Sequence, residues 1–227
     1  MGALPWLVGG GALAYAATRL LDREHARSSA HGDASTKSDA TKPAEVPKHD
    51  ALTTLAGSWL WPVPRWNGRA PVISDGYTTP RPGGVMHGGI DLMFARSKTD
   101  TYKVGSANGT KAFVMPDQMV ALAAADARVR LAKQTPRGLT IQLEHEGAIV
   151  TYYTHLAELL VKSTTNGSTG ERVRAGQPIG VIGADPMDGQ HIKHLHFEIW
   201  MPPGRPQDRV DPEPIVRNWP IVPIPNA

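Results

Sequence analysis

Five residues in three short segments have the types and spacing for metal chemistry. They are His87 and Asp91 in His-Gly-Gly-Ile-Asp, His155 in Tyr-Tyr-Thr-His-Leu, and His194 and His196 in His-Leu-His-Phe-Glu. Imidazole and carboxylate together form the ligand set of a catalytic zinc ion, which takes three protein ligands and keeps a fourth position for water. Two further histidines then remain for proton transfer, so the set points to a metal-dependent hydrolase. The chain has no cysteine, which excludes disulfides and a thiolate site and leaves nitrogen and oxygen as the only ligand atoms.

The elements that position these residues follow from their spacing. Side chains two apart on a strand share a face, so His194 and His196 project together while Leu195, Phe197 and Ile199 face a core. Glu198 lies on the histidine face, where it could orient a ligand. His87 and Asp91, four apart, fall on one side of either a helix or a strand. The two glycines after His87 favour extended backbone that passes close to something. His191 reads as a loop residue and His145 as a hydrogen-bonded structural histidine. The zincin pattern His-Glu-x-x-His fails at His145-Glu146-Gly147-Ala148-Ile149, because position 149 is Ile.

From Trp59 onward the chain reads as short strands broken by turns. Leu139-Thr140-Ile141-Gln142-Leu143 alternates apolar and polar residues, and Ala148 to Thr154 is rich in β-branched and aromatic ones. Pro136-Arg137-Gly138, Asn108-Gly109 and Asn166-Gly167 supply turns. Met119 to Lys133 has strong helix formers but is read as two strands with a turn near Asp126. The 227 residues suffice for one well-packed domain plus appendages. That domain is expected over 58–216, followed by a Pro-rich tail at 217–227. Residues 25–57 are too poor in large apolar side chains to offset chain entropy and are expected to form a disordered linker. An apolar N-terminal helix is expected within 1–24. Its run at 4–21 reads as a membrane anchor, with a signal peptide or a greasy helix packed on a partner as the alternatives. With 24 Lys and Arg against 21 Asp and Glu, the net charge of +3 is modest and spread out. That argues against nucleic-acid binding and suits an anionic polymer such as a cell wall.

Taken in order, the segments resemble the M23 (lysostaphin/LytM-type) peptidase family, zinc endopeptidases that cut peptide bridges of bacterial peptidoglycan. The likeness runs from about Ser74 to Pro214. It includes His87-Gly88-Gly89-Ile90-Asp91, Thr151-Tyr152-Tyr153-Thr154-His155-Leu156, Val173-Arg174-Ala175-Gly176-Gln177-Pro178-Ile179-Gly180, His194-Leu195-His196-Phe197-Glu198 and Val210-Asp211-Pro212. The resemblance implies an all-β, mostly antiparallel fold of sheet or sandwich type, LytM-like, with the metal in a groove. It implies that His87, Asp91 and His196 hold Zn2+ while His155 and His194 do the proton and charge work. His194 is expected as general base and His155 as hydrogen-bond donor to the oxyanion, with the reverse assignment open. Tyr153 is a weaker candidate for the rim of the site.

The resemblance further implies peptidoglycan as partner and the cell envelope as location, periplasmic or extracytoplasmic. Two alternatives stand beside this reading: a virion- or envelope-associated wall-remodelling component, and a non-catalytic module that binds wall or activates an amidase. Three departures from the family pattern bear on substrate preference. Phe94 to Gln118 intervenes where a short Pro/Gly loop is usual, and a loop of that length is ordinarily functional or mobile. Ala184 to His191 replaces a Gly/Ser/Thr-rich loop, and Ala127 stands where a turn glycine is common.

Overall fold

The computed structural model describes residues 59–163, 170–187 and 189–224. The expected N-terminal helix and linker, at 1–24 and 25–57, lie outside the described residues. No helix among those described is long and apolar enough to cross a membrane. The described chain is predominantly antiparallel sheet, as expected. Its strands are β1 (Val72–Asp75), β2 (Ile90–Ala95), β3 (Phe113–Val114), β4 (Val120–Leu122), β5 (Ala127–Thr135), β6 (Gly138–Glu144), β7 (Val150–Leu159), β8 (Arg172–Val173), β9 (Pro178–Ile182), β10 (Leu195–Trp200) and β11 (Arg209–Val210). One short helix, α1 (Glu213–Val216), follows.

The strands form one branched sheet in the order β1-β2-β10-β7-β6-β5-β8. β3 adds to β2, β11 adds to β10, and β9 carries β4 onto β7. The centre is β10, which pairs with β2 and with β7. Its register sets His196 opposite Asp91 on one side and opposite Thr154 on the other. Alternation does the rest: Leu195, Phe197 and Ile199 are fully buried with Ile90, Leu92, Tyr153, Ile141 and Leu143, while His196 and Glu198 occupy the other face.

Met119 to Lys133 forms β4 and β5 with Asp126 between them, despite its helix propensity. The alanines there serve close packing. Ala121, Ala123 and Ala124 have no exposed surface, and their backbones bond to neighbouring segments, as in Leu60 N–H to the Ala124 carbonyl at 2.7 Å and Ala123 N–H to that of Gln177 at 2.9 Å. Tertiary contact overrides a weak local preference. Asp126 closes the corner, its Oδ1 accepting the Ala175 N–H and its carbonyl accepting Nδ1–H of His145. His145 is therefore structural, as expected, and its ring packs on Trp59.

The segment expected as a Pro-rich tail lies against the domain. Trp219 is buried in the core and stacks on Trp59 at 5.2 Å. The Pro220 and Val222 carbonyls accept the backbone N–H groups of Trp61 and Arg65. Proline richness signals irregular backbone, but one buried indole is enough to bind that backbone to the domain. The Phe94–Gln118 insertion is hydrogen-bonded back onto the fold. β3 returns to β2, and Arg96 donates to the carbonyls of Thr110 at 2.7 Å and Tyr102 at 2.9 Å. The Lys193 N–H reaches the Ala107 carbonyl at 2.7 Å, and Lys193 pairs with Asp117. The insertion thus braces the loop that leads into His194.

Candidate metal centre

His87 precedes β2 and Asp91 is its second residue; His196 is the second residue of β10. The pairing of these strands converts a separation of over a hundred positions into contact. His87 Nε2, Asp91 Oδ1 and His196 Nδ1 lie 2.9–3.0 Å from one another, and all three residues are buried. The approach is close because Gly89 has no side chain: a Cβ there would lie 2.3 Å from the Phe197 carbonyl oxygen. The two glycines of His-Gly-Gly-Ile-Asp do mark a close approach, that of β2 to β10.

The hydrogen bonds behind the rings fix their protons. His87 donates Nδ1–H to the Gly76 carbonyl at 2.7 Å, which leaves Nε2 with a bare lone pair. His196 donates Nε2–H to Glu198 Oε1 at 2.9 Å, which leaves Nδ1 bare. Glu198 is buried, and Arg209 Nε at 2.7 Å and Trp200 Nε1 at 2.6 Å donate to its other oxygen. Burial raises the Glu198 pKa, but the bonds from His196 and the Arg209 charge outweigh it and hold the group below its usual value. Burial likewise opposes ionisation of Asp91, and the hydrogen bonds of His196 and His87 overcome it, leaving that carboxyl well below the ordinary range. Burial lowers the His196 pKa, and the bonds to Asp91 and Glu198 more than reverse this.

The hydrogen bonds that lower the Asp91 pKa and raise that of His196 form only when a ring takes up a second proton. When both rings are neutral, two imidazole lone pairs and one carboxylate oxygen therefore converge. Such an arrangement is repulsive unless a cation lies among the three, and a borderline-soft divalent ion with nitrogen and oxygen ligands suits it. The donor set fits zinc. The carboxylate–histidine support from Glu198 is the kind that fixes ring orientation in such sites.

His155 and His194 lie beside this triangle with ring centroids 4.7 Å apart. His194 Nε2 is 3.6 Å from Asp91 Oδ1, and its Nδ1–H donates to the Ile192 carbonyl at 2.9 Å. His155 donates Nδ1–H to the Arg137 carbonyl at 3.0 Å, with Asp185 Oδ1 at 3.6 Å. Burial, reinforced by neighbouring His194, pushes the His155 pKa down to about 3. In the neutral rings both Nε2 atoms are acceptors. The oxyanion-donor part expected of His155 requires that it first gain a proton.

His155 owes its aim to a backbone irregularity. Its φ is +63°, and at this residue β7 changes partner, pairing with β10 up to Thr154 and with β9 from Leu156. The register with β6 slips at the same place. A bulge of this kind re-aims a side chain. Tyr153 consequently does not share the His155 face. It is fully buried on the core side, where its hydroxyl accepts the Ala124 N–H at 3.0 Å, and the rim role expected for it is withdrawn.

A cleft of about 520 Å³ opens over these groups, lined also by Arg81, Arg137, Asp185 and Met187. Arg81 Nη2 binds Asp91 Oδ2 at 3.1 Å and also pairs with Asp75, which ties down the carboxylate oxygen that does not face the histidines. Arg81, Arg137 and Asp185 were not foreseen from sequence. Asp185 at least falls in the loop that departs from the family pattern, whereas single arginines in turns carry no signal of their own.

Residues 106–212 match the description Peptidase family M23. That stretch contains His155, His194 and His196 and begins after His87 and Asp91, which β2 brings to it. Among solved structures, the catalytic domain of the antimicrobial peptidase lysostaphin from Staphylococcus simulans is 23% identical, with 66% of this chain and 94% of that one covered and a TM-score of 0.48. A structure of the SpoIIQ-SpoIIIAH pore forming complex is 19% identical over 70% of this chain and 90% of that one, at a TM-score of 0.50. A zinc containing peptidase from Vibrio cholerae is 23% identical over 68% of this chain and 39% of that one, at 0.46. No curated protein sequence matches the chain.

Proposed function

This chain carries a peptidase family M23 domain, and from that premise we propose that it is a zinc-dependent endopeptidase that hydrolyses peptide cross-links of bacterial peptidoglycan. The observation that carries the proposal is the convergence of three potential ligand atoms, His87 Nε2, Asp91 Oδ1 and His196 Nδ1, within 2.9–3.0 Å of one another. In this reading those three residues hold the metal. Bound zinc supplies a water of lowered pKa and a charge that polarises the scissile carbonyl. His194 takes a proton at Nε2 as general base, its ring held in place by the Ile192 carbonyl. Once protonated, Nε2–H becomes a donor and returns the proton to the leaving amine.

His155 works beside it. Its Nε2 is a second acceptor beside His194; the oxyanion-donor part would require it to take the remaining proton of the attacking water, which its lowered pKa opposes until charge develops on the carbonyl oxygen. The Arg137 carbonyl fixes its orientation. Arg81 keeps Asp91 oriented through the outer carboxylate oxygen. A site with all five residues in place favours an enzyme over a purely wall-binding module. The location that goes with this reading is the cell envelope. Mass spectrometry of fragments released from purified peptidoglycan, with and without a chelator, tests the proposal. Chelator-sensitive release of peptide fragments is expected; wall left intact under zinc-replete conditions would leave only the non-catalytic reading.

A further inference from the structure

We propose that the sheet face beside the metal centre holds a second subsite, which binds a carboxylate of the substrate peptide through Arg137 and Arg209. This rests on the peptidase reading and adds what the peptide must carry. A separate cleft of about 220 Å³ lies on that face, and Arg137 lines both it and the metal cleft. Its floor is a cross-strand row of Gln142, Tyr152 and Glu198, paired in register across β6, β7 and β10. Each stands two residues along its strand from the row of Thr140, Thr154 and His196 beneath the metal centre. Two residues of strand span about 7 Å, so the subsite lies roughly two peptide residues from the scissile bond.

The hydrogen-bond inventory of this cleft is lopsided. Its one carboxylate, Glu198, is fully engaged by His196, Trp200 and Arg209 Nε. What remains is rich in donors. Among the described residues, the Arg137 guanidinium, Arg209 Nη1 and Nη2, the Tyr152 hydroxyl and the Gln142 amide have no hydrogen bond or ion pair. An arginine on a turn is ordinarily solvated surface. Here two, from the β5–β6 turn and from β11, line one cleft with neutral donors between them. A planar anion with two acceptor oxygens is the ligand that such forks match bidentately. In a wall peptide it is either the terminal α-carboxylate or that of an acidic side chain.

The test is equilibrium binding by calorimetry to the zinc-loaded full chain carrying His194→Ala, which by the reading above holds zinc and peptide without cutting the peptide. The probes are a synthetic cross-link peptide with all carboxylates free, the same peptide with only its terminus amidated, one with only its side chains amidated, and the fully amidated form. The free peptide is expected to bind at least about 10-fold more tightly than the fully amidated one, a gap worth about 1.4 kcal/mol. The gap should shrink as salt screens the pairing. The two partly amidated peptides identify which carboxylate is read. Arg137→Gln should close the gap with zinc content unchanged, and Arg137→Lys should restore part of it. Equal affinity for free and fully amidated peptides, absence of binding by any of them, or a gap that survives Arg137→Gln overturns the subsite. Wall cleavage by the parent chain without carboxylate discrimination would sink the subsite alone. Carboxylate-selective binding without cleavage of any wall by the parent chain would sink the peptidase reading instead.

Discussion

At the scale of single residues, the site is a matter of which nitrogen carries a proton. In the proposed zinc site Glu198 would support the metal only through His196, so Glu198→Gln should weaken zinc affinity by about 10–100-fold, read by competition with a chromogenic chelator. Unchanged affinity would mean that the His196–Glu198 bond is structural decoration. His194 stands outside the ligand triangle. His194→Ala is therefore expected to keep stoichiometric zinc while turnover falls by about 10²–10⁴-fold, measured by metal analysis beside fragment release. Loss of zinc in that variant would move His194 into the ligand set. The histidines and Asp91 were legible because three short segments, His87 to Asp91, Thr151 to Leu156 and His194 to Glu198, occur together in the order of the family pattern they resemble; none of them sufficed alone. Arg81, Arg137 and Asp185 were not, since their roles arise only where separate turns meet.

Elements decide whether those atoms meet. β2 must lie against β10 closely enough to set Asp91 opposite His196, and Gly89 permits it. Gly89→Ala places a methyl group where the Phe197 carbonyl oxygen is 2.3 Å away, so β2 must shift. The variant should lose thermal stability and bind zinc more weakly, checked by calorimetry and metal titration. A fold and affinity like those of the parent chain would show that the strands tolerate wider spacing. The strands themselves were readable from alternation and β-branched content. The bulge at His155 was not, because period-two reasoning assumes an unbroken pleat, and it put Tyr153 on the wrong face. A left-handed φ at histidine leaves no mark in composition.

For the molecule as a whole, stability depends on a corner far from the cleft. His145 is buried against Trp59 and bonds to the Asp126 carbonyl and Thr151 hydroxyl. Burial, only partly opposed by the Asp126 carbonyl, lowers its pKa from 6.5 to about 4. Between those values the unfolded chain binds more protons than the folded one, so stability is full above pH 6.5 and falls as the pH drops toward 4. The loss is on the order of 3 kcal/mol. Melting curves from pH 7 to 4.5 should show a steeper decline for the parent than for His145→Asn; equal slopes would remove His145 as the cause. The domain's extent was only partly legible: the strand-rich region stood out, but Trp219 inside a proline-rich tail did not signal that the core reaches that far.

The account stands or falls on one cation at His87, Asp91 and His196. The most direct test is to titrate metal-free protein with zinc while following both bound metal and fragments released from purified peptidoglycan. Release should rise in step with occupancy and level off at one zinc per chain, and His196→Ala should show neither. Cleavage by metal-free protein, or full occupancy in His196→Ala, would contradict it.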